Sequence, residues 1–167
     1  QAPSFAHLNA GTRSRVPLQV LDFMERERRE GERNPTEAMF TSYNRIWEVQ
    51  RGLSEFLGAR ESDIFLRANV TAAFNDFVFA LPPLGEGEVL ATGWEYGGIV
   101  GLTRHWARLS GLSFRQVSLD IDPCLGADSL AQAVLGALRP ETRVLLVSHV
   151  ATGTGAILPV EAIAREA

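Results

Sequence analysis

Lysine is absent from this chain of 167 residues, in which all 16 basic side chains are arginine. An imine with a carbonyl compound needs a primary amine, so no side chain of this chain can form one. Cysteine is nearly absent too, and the single Cys124 excludes an internal disulfide, which favours a reducing, cytoplasmic setting. No apolar run approaches the roughly 18 residues that span a bilayer, and residues 1–5 show no targeting signal.

The composition is that of one folded domain, or a large piece of one. Apolar residues make up 46% of the chain and charged residues 22%, which is ample material for a core. The net charge of −4 is mild, so we expect neither nucleic acid nor a membrane surface as a partner.

Two helices are predicted in the first third of the chain. The first begins at Pro17 and should end at Gly31. The second begins at Asn34-Pro35, a cap followed by proline, and continues to Gly58. Its aromatic stripe is typical of a core or a subunit interface rather than of a ligand site.

Strand-like and helix-like segments alternate from residue 63 onward. The predicted strands are 63–66, 88–92, 113–119 and 144–147, and the predicted helices are 69–81, 97–109, 129–138 and one opening at Pro159. This alternation predicts an α/β fold of three layers (α/β/α) around a mostly parallel sheet. We expect residues 1–62 to form an N-terminal arm and helices and residues 63–167 to form the first part of the α/β domain. Together they should be one structural domain, apparently incomplete at Ala167.

The stretch 67–79 is the most informative. Asn69 can cap a helix whose first turn exposes free amides and the positive end of the helix dipole, and Thr71 can add a hydroxyl. Such a start binds anions. A capped helix that only packs on a sheet explains these residues equally well.

Three polar junctions should meet at one edge of the sheet, because ligands of open α/β sheets sit beyond the carboxyl ends of the strands. They are residues 69–71, 93–98 and 148–155. They combine a phosphate-type site, two large aromatic rings and a Ser/His/Thr cluster, which together favour a phosphorylated ligand with a planar ring.

The chain resembles the N-terminal part of the large domain of fold-type I pyridoxal-phosphate enzymes, in the class V aminotransferase group that includes isopenicillin N epimerase-like proteins and cysteine desulfurases. The resemblance covers nearly the whole chain in one order. Its motifs are Leu8-Asn9 with Gly11, Asn34-Pro35, residues 51–58, residues 68–75, Glu95-Tyr96-Gly97, Ser148-His149-Val150, Thr154-Gly155 and Leu158-Pro159.

The resemblance implies roles for individual residues. Asn69, Val70 and Thr71 match the helix start that holds the phosphate of pyridoxal phosphate. Tyr96 matches the group that stacks on the pyridine ring, and Trp94 is the alternative.

On the substrate side, the resemblance places Asn9, Ser148 and His149. Cysteine desulfurases carry an asparagine near Ala151, so Thr152 is expected to replace its bond to the ring oxygen.

The implied activity is that of an enzyme acting on an amino acid by transamination, epimerisation or C–S lyase chemistry, as a homodimer. The Schiff-base lysine and the aspartate on the pyridine nitrogen would both lie beyond the position that matches Ala167. The alternatives are a non-catalytic α/β domain for binding or dimerisation, and an unrelated phospholigand-binding sheet.

Other polar residues are expected to have no catalytic role: His105, Cys124, the Asp120/Asp122 pair and His7, for which a position facing the substrate is the alternative. No cluster has the spacing of metal ligands, and no Gly-Lys-Ser/Thr loop is present to hold a nucleotide.

Overall fold

A computed structural model of the protein describes residues 11, 13–119, 122 and 126–167. The expectations for His7, Asn9, Asp120 and Cys124 therefore lie outside the described residues. The described chain divides between Leu66 and Arg67 into two compact units. The single domain predicted from 1–62 and 63–167 stays a prediction.

The first unit consists of helices α1 (Leu18–Arg33) and α2 (Pro35–Leu57) and a 3-10 turn at Glu61–Asp63. Helix α2 has the predicted ends. The Asn34 side chain accepts a hydrogen bond from the Glu37 amide at 3.3 Å, and Gly58 closes the helix with a φ of +65°.

The predicted end of α1 at Gly31 is wrong, because the helix continues to Arg33. A single glycine inside a helix costs only about 1 kcal/mol relative to alanine. Arg33 extends the helix with an ion pair to Glu30 at 2.8 Å, one turn earlier.

The strand predicted at 63–66 is also wrong. Glu61–Asp63 forms the 3-10 turn, and Ile64 then has extended backbone angles without joining a sheet. The Gln50 side chain of α2 donates hydrogen bonds to the carbonyls of Glu61 and Ile64, at 2.7 and 2.5 Å. Backbone carbonyls of this segment thus find their hydrogen-bond donor in a helix side chain instead of in a neighbouring strand.

The second unit alternates helices and strands, as predicted. Its elements are α3 (Val70–Ala80), β1 (Glu88–Thr92), α4 (Gly97–Leu109), β2 (Ser113–Val117), α5 (Ala127–Leu135), β3 (Thr142–Leu146) and α6 (Val160–Glu166). The bounds of β1 and α4 are those predicted, and the other elements differ at their ends by a few residues.

The three strands form one parallel sheet in the order β2-β1-β3. On one face, Val89 of β1 packs in a buried cluster with Val78 of α3 and with Trp106 and Ala107 of α4. On the other face, a second cluster joins α5 and α6 through residues that include Val134 and Ile163. The predicted three-layer α/β/α architecture with a parallel sheet is confirmed.

The ends of helices α3 and α4 share one buried cluster. Val78, near the end of α3, belongs to it together with Trp106 and Ala107, near the end of α4, and Val89, near the start of β1. Because α4 follows β1 directly, α4 starts at the carboxyl edge of the strands. We infer that α3, whose end shares this cluster, starts at the same edge.

A buried ion pair stabilises the opposite edge. Glu88, only 4% exposed at the start of β1, accepts hydrogen bonds from Arg115 of β2 at 2.6 and 2.7 Å and from Thr142 of β3 at 3.0 Å. The hydrogen bonds from Arg115 lower the pKa of Glu88 below its ordinary value, although burial opposes the shift. These side chains connect all three strands.

Among the helices of the described residues, none combines the length and the hydrophobicity needed to cross a membrane.

Candidate functional site

The start of α3 has the geometry of an anion site. The Asn69 side-chain oxygen accepts a hydrogen bond from the Ala72 amide at 2.9 Å, and the Asn69 carbonyl receives the Ala73 amide at 3.0 Å. The amides of Val70 and Thr71 come before that of Ala73, the first to donate to a helix carbonyl, so they have no intrahelical backbone acceptor. Both residues are exposed, Val70 to 68%. An anion can therefore reach the positive end of this helix.

An ion pair holds the segment that enters α3. The Arg67 guanidinium lies 2.6 Å from the Asp76 carboxylate, and both side chains are half exposed. The ion pair joins Arg67, which precedes α3, to Asp76 in the second turn of the helix. No helical spacing relates the two residues, so the sequence carries no signal for it.

The two aromatic residues after β1 have different surroundings. Trp94 is half-buried and packs against the hydrophobic cluster on the α5 and α6 face. Tyr96 is 52% exposed and begins α4, where its carbonyl accepts hydrogen bonds from the amides of Ile99 and Val100, each at 3.0 Å. Tyr96 has its ring available to a ligand, whereas Trp94 serves the core.

The segment after β3 folds back on itself as a narrow loop. The His149 carbonyl accepts the Leu158 amide at 2.8 Å, and the Ala151 amide bonds the Ala156 carbonyl at 2.9 Å. Thr152 lies exposed in the turn, which closes at Gly155 with a φ of +71°. His149 is exposed as well, whereas Ser148 is half-buried.

Glu95 connects the ends of β1 and β3. Its Oε1 accepts hydrogen bonds from the Thr92 hydroxyl at 2.6 Å and the Ser148 amide at 3.0 Å, and its Oε2 accepts the Ser148 hydroxyl at 2.5 Å. Sequence reasoning assigned no role to Glu95, although it stands between the two aromatic candidates. Only the pairing of β1 with β3 makes Ser148 its neighbour.

The predicted site residues fall into three groups, and the two groups that follow strands lie at the carboxyl edge of the sheet. Asn69, Val70 and Thr71 lie at the start of α3, Trp94 and Tyr96 follow β1, and Ser148, His149 and Thr152 follow β3. Direct contact is observed between the second and third groups, through Glu95 and Ser148. Within the described residues, no three His, Cys, Asp or Glu side chains are placed to hold a metal ion.

An α/β protein with a capped, exposed helix start and with an exposed ring and hydroxyl groups beyond its strand ends has the features of the class that binds phosphorylated ligands. The family model for Aminotransferase class-V matches residues 7–167. The chain belongs to this family, which uses pyridoxal phosphate, and the resemblance found in the sequence is confirmed.

Two isopenicillin N epimerases are similar to the chain along almost its whole length. The chain is 30% identical over 168 residues to the protein from Amycolatopsis lactamdurans and 29% identical over 166 residues to that from Streptomyces clavuligerus. Each similarity covers 99% of this chain and 42% of the relative. The chain therefore spans less than half the length of these relatives.

Solved structures of C-DES share the fold. One is a mutant with glycine covalently linked to the PLP cofactor, and another is the complex of this cystine C-S lyase with its product cysteine persulfide. Each superposes with a TM-score of 0.83 at 22% identity, covering 93% of this chain and 41% of the other. At this identity the likeness concerns the fold alone.

Proposed function

We propose that this chain provides the phosphate-binding and ring-facing walls of a pyridoxal-phosphate-dependent enzyme that acts on an amino acid. The proposed reaction is a transamination, an epimerisation or the cleavage of a C–S bond. The observation that carries the proposal is the capped, exposed start of α3, which we infer to lie at the sheet edge of Tyr96 and Ser148. Family membership and the similarity to isopenicillin N epimerases support it.

The residues at the start of α3 fit a phosphate group. In this proposal the amides of Val70 and Thr71 and the Thr71 hydroxyl donate to its oxygens, and the helix dipole favours its charge. The Asn69 side chain is already bonded to the Ala72 amide, so its role is to shape the turn. Asp76 holds Arg67 in an ion pair, which leaves the backbone as the main phosphate contact.

The residues after β1 and β3 fit a planar, substituted ring. Tyr96 is the proposed stacking residue rather than Trp94, because the Trp94 ring packs in the core. Thr152, exposed in its turn, is proposed to contact the ring oxygen. Ser148 and His149 are proposed on the substrate side, and the same proposal for Asn9 rests on the resemblance alone.

Pyridoxal phosphate, when bound, acts as an electron sink for the substrate carbanion. The residues at the start of α3 would hold its phosphate, and the exposed Tyr96 ring would stack on its pyridine ring. An enzyme of this kind also requires a lysine side chain, and these 167 residues include none.

We also propose that the protein is a cytoplasmic homodimer that uses the apolar face of α2. Large side chains on one face of α2 are exposed, among them Phe40 at 65%, Tyr43 at 57% and Trp47 at 58%. A helix face of this kind is typical of an interface. Light scattering on the full protein tests the proposal, with Trp47→Arg expected to lower the mass and exposed Arg29→Ala expected to leave it unchanged. A monomeric unmodified protein would exclude the dimer.

Titration of the full, cofactor-free protein with pyridoxal phosphate tests the main proposal. Thr71→Ala should weaken binding by about 1–2 kcal/mol, because one charge-assisted hydrogen bond is lost. Thr41→Ala is the matched control, since Thr41 is an exposed helical threonine whose hydroxyl bonds only its own α2 carbonyls. Failure of the unmodified protein to bind pyridoxal phosphate would favour the non-catalytic alternative.

A further inference from the structure

The hydrogen bonds around Glu95 have assignable directions. The Trp94 amide can only donate, and it donates to the Thr92 hydroxyl oxygen at 3.3 Å. The proton of Thr92 is therefore free for Glu95, which receives it at 2.6 Å. The Ser148 amide can also only donate, and the Ser148 hydroxyl lies 2.5 Å from the other carboxylate oxygen.

Three donors on one carboxylate fit its ionised form, which only accepts hydrogen bonds. The ion pairs found in the described part of the chain do not include Glu95. Glu95 is also only half-buried, between Trp94 and Tyr96. Hydroxyl and amide groups thus stabilise the negative charge of the Glu95 carboxylate at the carboxyl edge of the sheet, but they do not neutralise it.

We propose that Glu95 is a positioning residue of the cofactor site. Its carboxylate fastens the Tyr96 turn after β1 to Ser148 after β3, and its charge favours the protonated form of a ligand bound beside it. This inference rests on the proposed function. It adds a requirement on the ligand of this site. The ligand should carry a negative charge at its phosphate, which the start of α3 holds, and a positive charge near Glu95.

Glu95→Gln tests the effect of the charge apart from that of the hydrogen bonds. Glutamine is uncharged, but it has the same size as glutamate and can keep hydrogen bonds to Thr92 and Ser148. In the full protein loaded with pyridoxal phosphate, the midpoint of the pH-dependent change in visible absorption should fall by about one pH unit, because a nearby anion no longer stabilises the protonated form. A purely structural role would leave this midpoint unchanged.

A matched variant provides the control. Glu88→Gln makes the same change at the other end of β1, more than about 13 Å away at ~3.3 Å per residue and beyond a Debye length of roughly 8–10 Å. This variant should keep the midpoint of the unmodified protein. An unchanged midpoint in Glu95→Gln, or an equal fall in Glu88→Gln, would overturn the inference.

Glu95→Ala tests the connection between the strand ends without cofactor. Hydrogen exchange of the peptide containing Ser148 in the cofactor-free protein should accelerate at least about tenfold, since its amide loses its acceptor. Glu95→Gln should restore protection. Unchanged exchange in Glu95→Ala would refute the connection even if the unmodified protein binds pyridoxal phosphate, whereas faster exchange without any cofactor binding would refute the proposed function instead.

Discussion

The ring of Tyr96 lies over the backbone of Gly98, so closely that a Cβ added to Gly98 would stand 2.7 Å from Cε1 of the ring. An added Cβ on Gly97 would meet nothing within 4 Å. The two glycines are consecutive in the first turn of α4 and form a matched pair for substitution. The absence of a side chain at Gly98 sets the position of the exposed ring.

Gly98→Ala should therefore displace the Tyr96 ring, whereas Gly97→Ala should not. We expect Gly98→Ala to change the visible absorption of bound pyridoxal phosphate. Gly97→Ala should leave the spectrum as it is and stabilise the protein by about 0.5–1 kcal/mol, the usual gain of alanine over glycine in a helix. Identical spectra for both variants would remove the Tyr96 ring from the site.

Alanine substitutions at the two aromatic candidates should have opposite effects. Trp94→Ala should destabilise the protein by about 2–3 kcal/mol, because the ring packs in the core. Tyr96→Ala should cost little stability but perturb the absorption of bound cofactor. Thermal unfolding and visible spectra of both variants check this, and a spectral change confined to Trp94→Ala would make Trp94 the stacking residue.

Asn69 and Asn34 cap α3 and α2 in the same way, each accepting the amide three residues later. Alanine at either position should destabilise the protein by about 1 kcal/mol. Only Asn69→Ala should weaken binding of pyridoxal phosphate, since only α3 starts at the proposed site. Equal weakening by both variants would mean that general stability, not the α3 start, controls affinity.

The buried pair of Glu88 and Arg115 should dominate the stability of the sheet. Glu88→Gln should lower the free energy of unfolding at pH 7 by about 2–3 kcal/mol, because the partly buried Arg115 guanidinium loses its charged partner. Glu161→Gln, in the exposed pair with Arg165, should cost less than about 1 kcal/mol. Denaturant unfolding at pH 7 compares them.

The same pair makes stability depend on pH. Because the folded pKa of Glu88 lies below its ordinary value of 4.5, the unfolded state takes up a proton first as pH falls. The contribution of Glu88 is complete above pH 4.5 and is lost as pH falls through the folded pKa. The difference between the unmodified protein and Glu88→Gln should shrink from pH 7 to pH 3. A constant difference would contradict the lowered pKa.

Local patterns determined most of the elements, since a cap, a helical stripe or a glycine stop acts within a few residues. This is why Asn34, Gly58 and Asn69 mark helix ends in the structure as they do in the sequence. The prediction that α1 ends at Gly31 was wrong because a helix can continue through one glycine at a cost of about 1 kcal/mol. The prediction of a strand at 63–66 was wrong because a strand forms only where another strand pairs with its backbone hydrogen-bonding groups.

The sequence by itself thus determined the α/β class, the capped start of α3 and the family. Tertiary structure alone decided which side chains meet. The separation of Trp94 from Tyr96 depends on core packing, and the Glu88 pair and the Glu95 connection both depend on which strand lies beside β1. Sheet order brings residues more than fifty positions apart within hydrogen-bonding distance, as Glu95 and Ser148 show, and no spacing along the chain encodes that order.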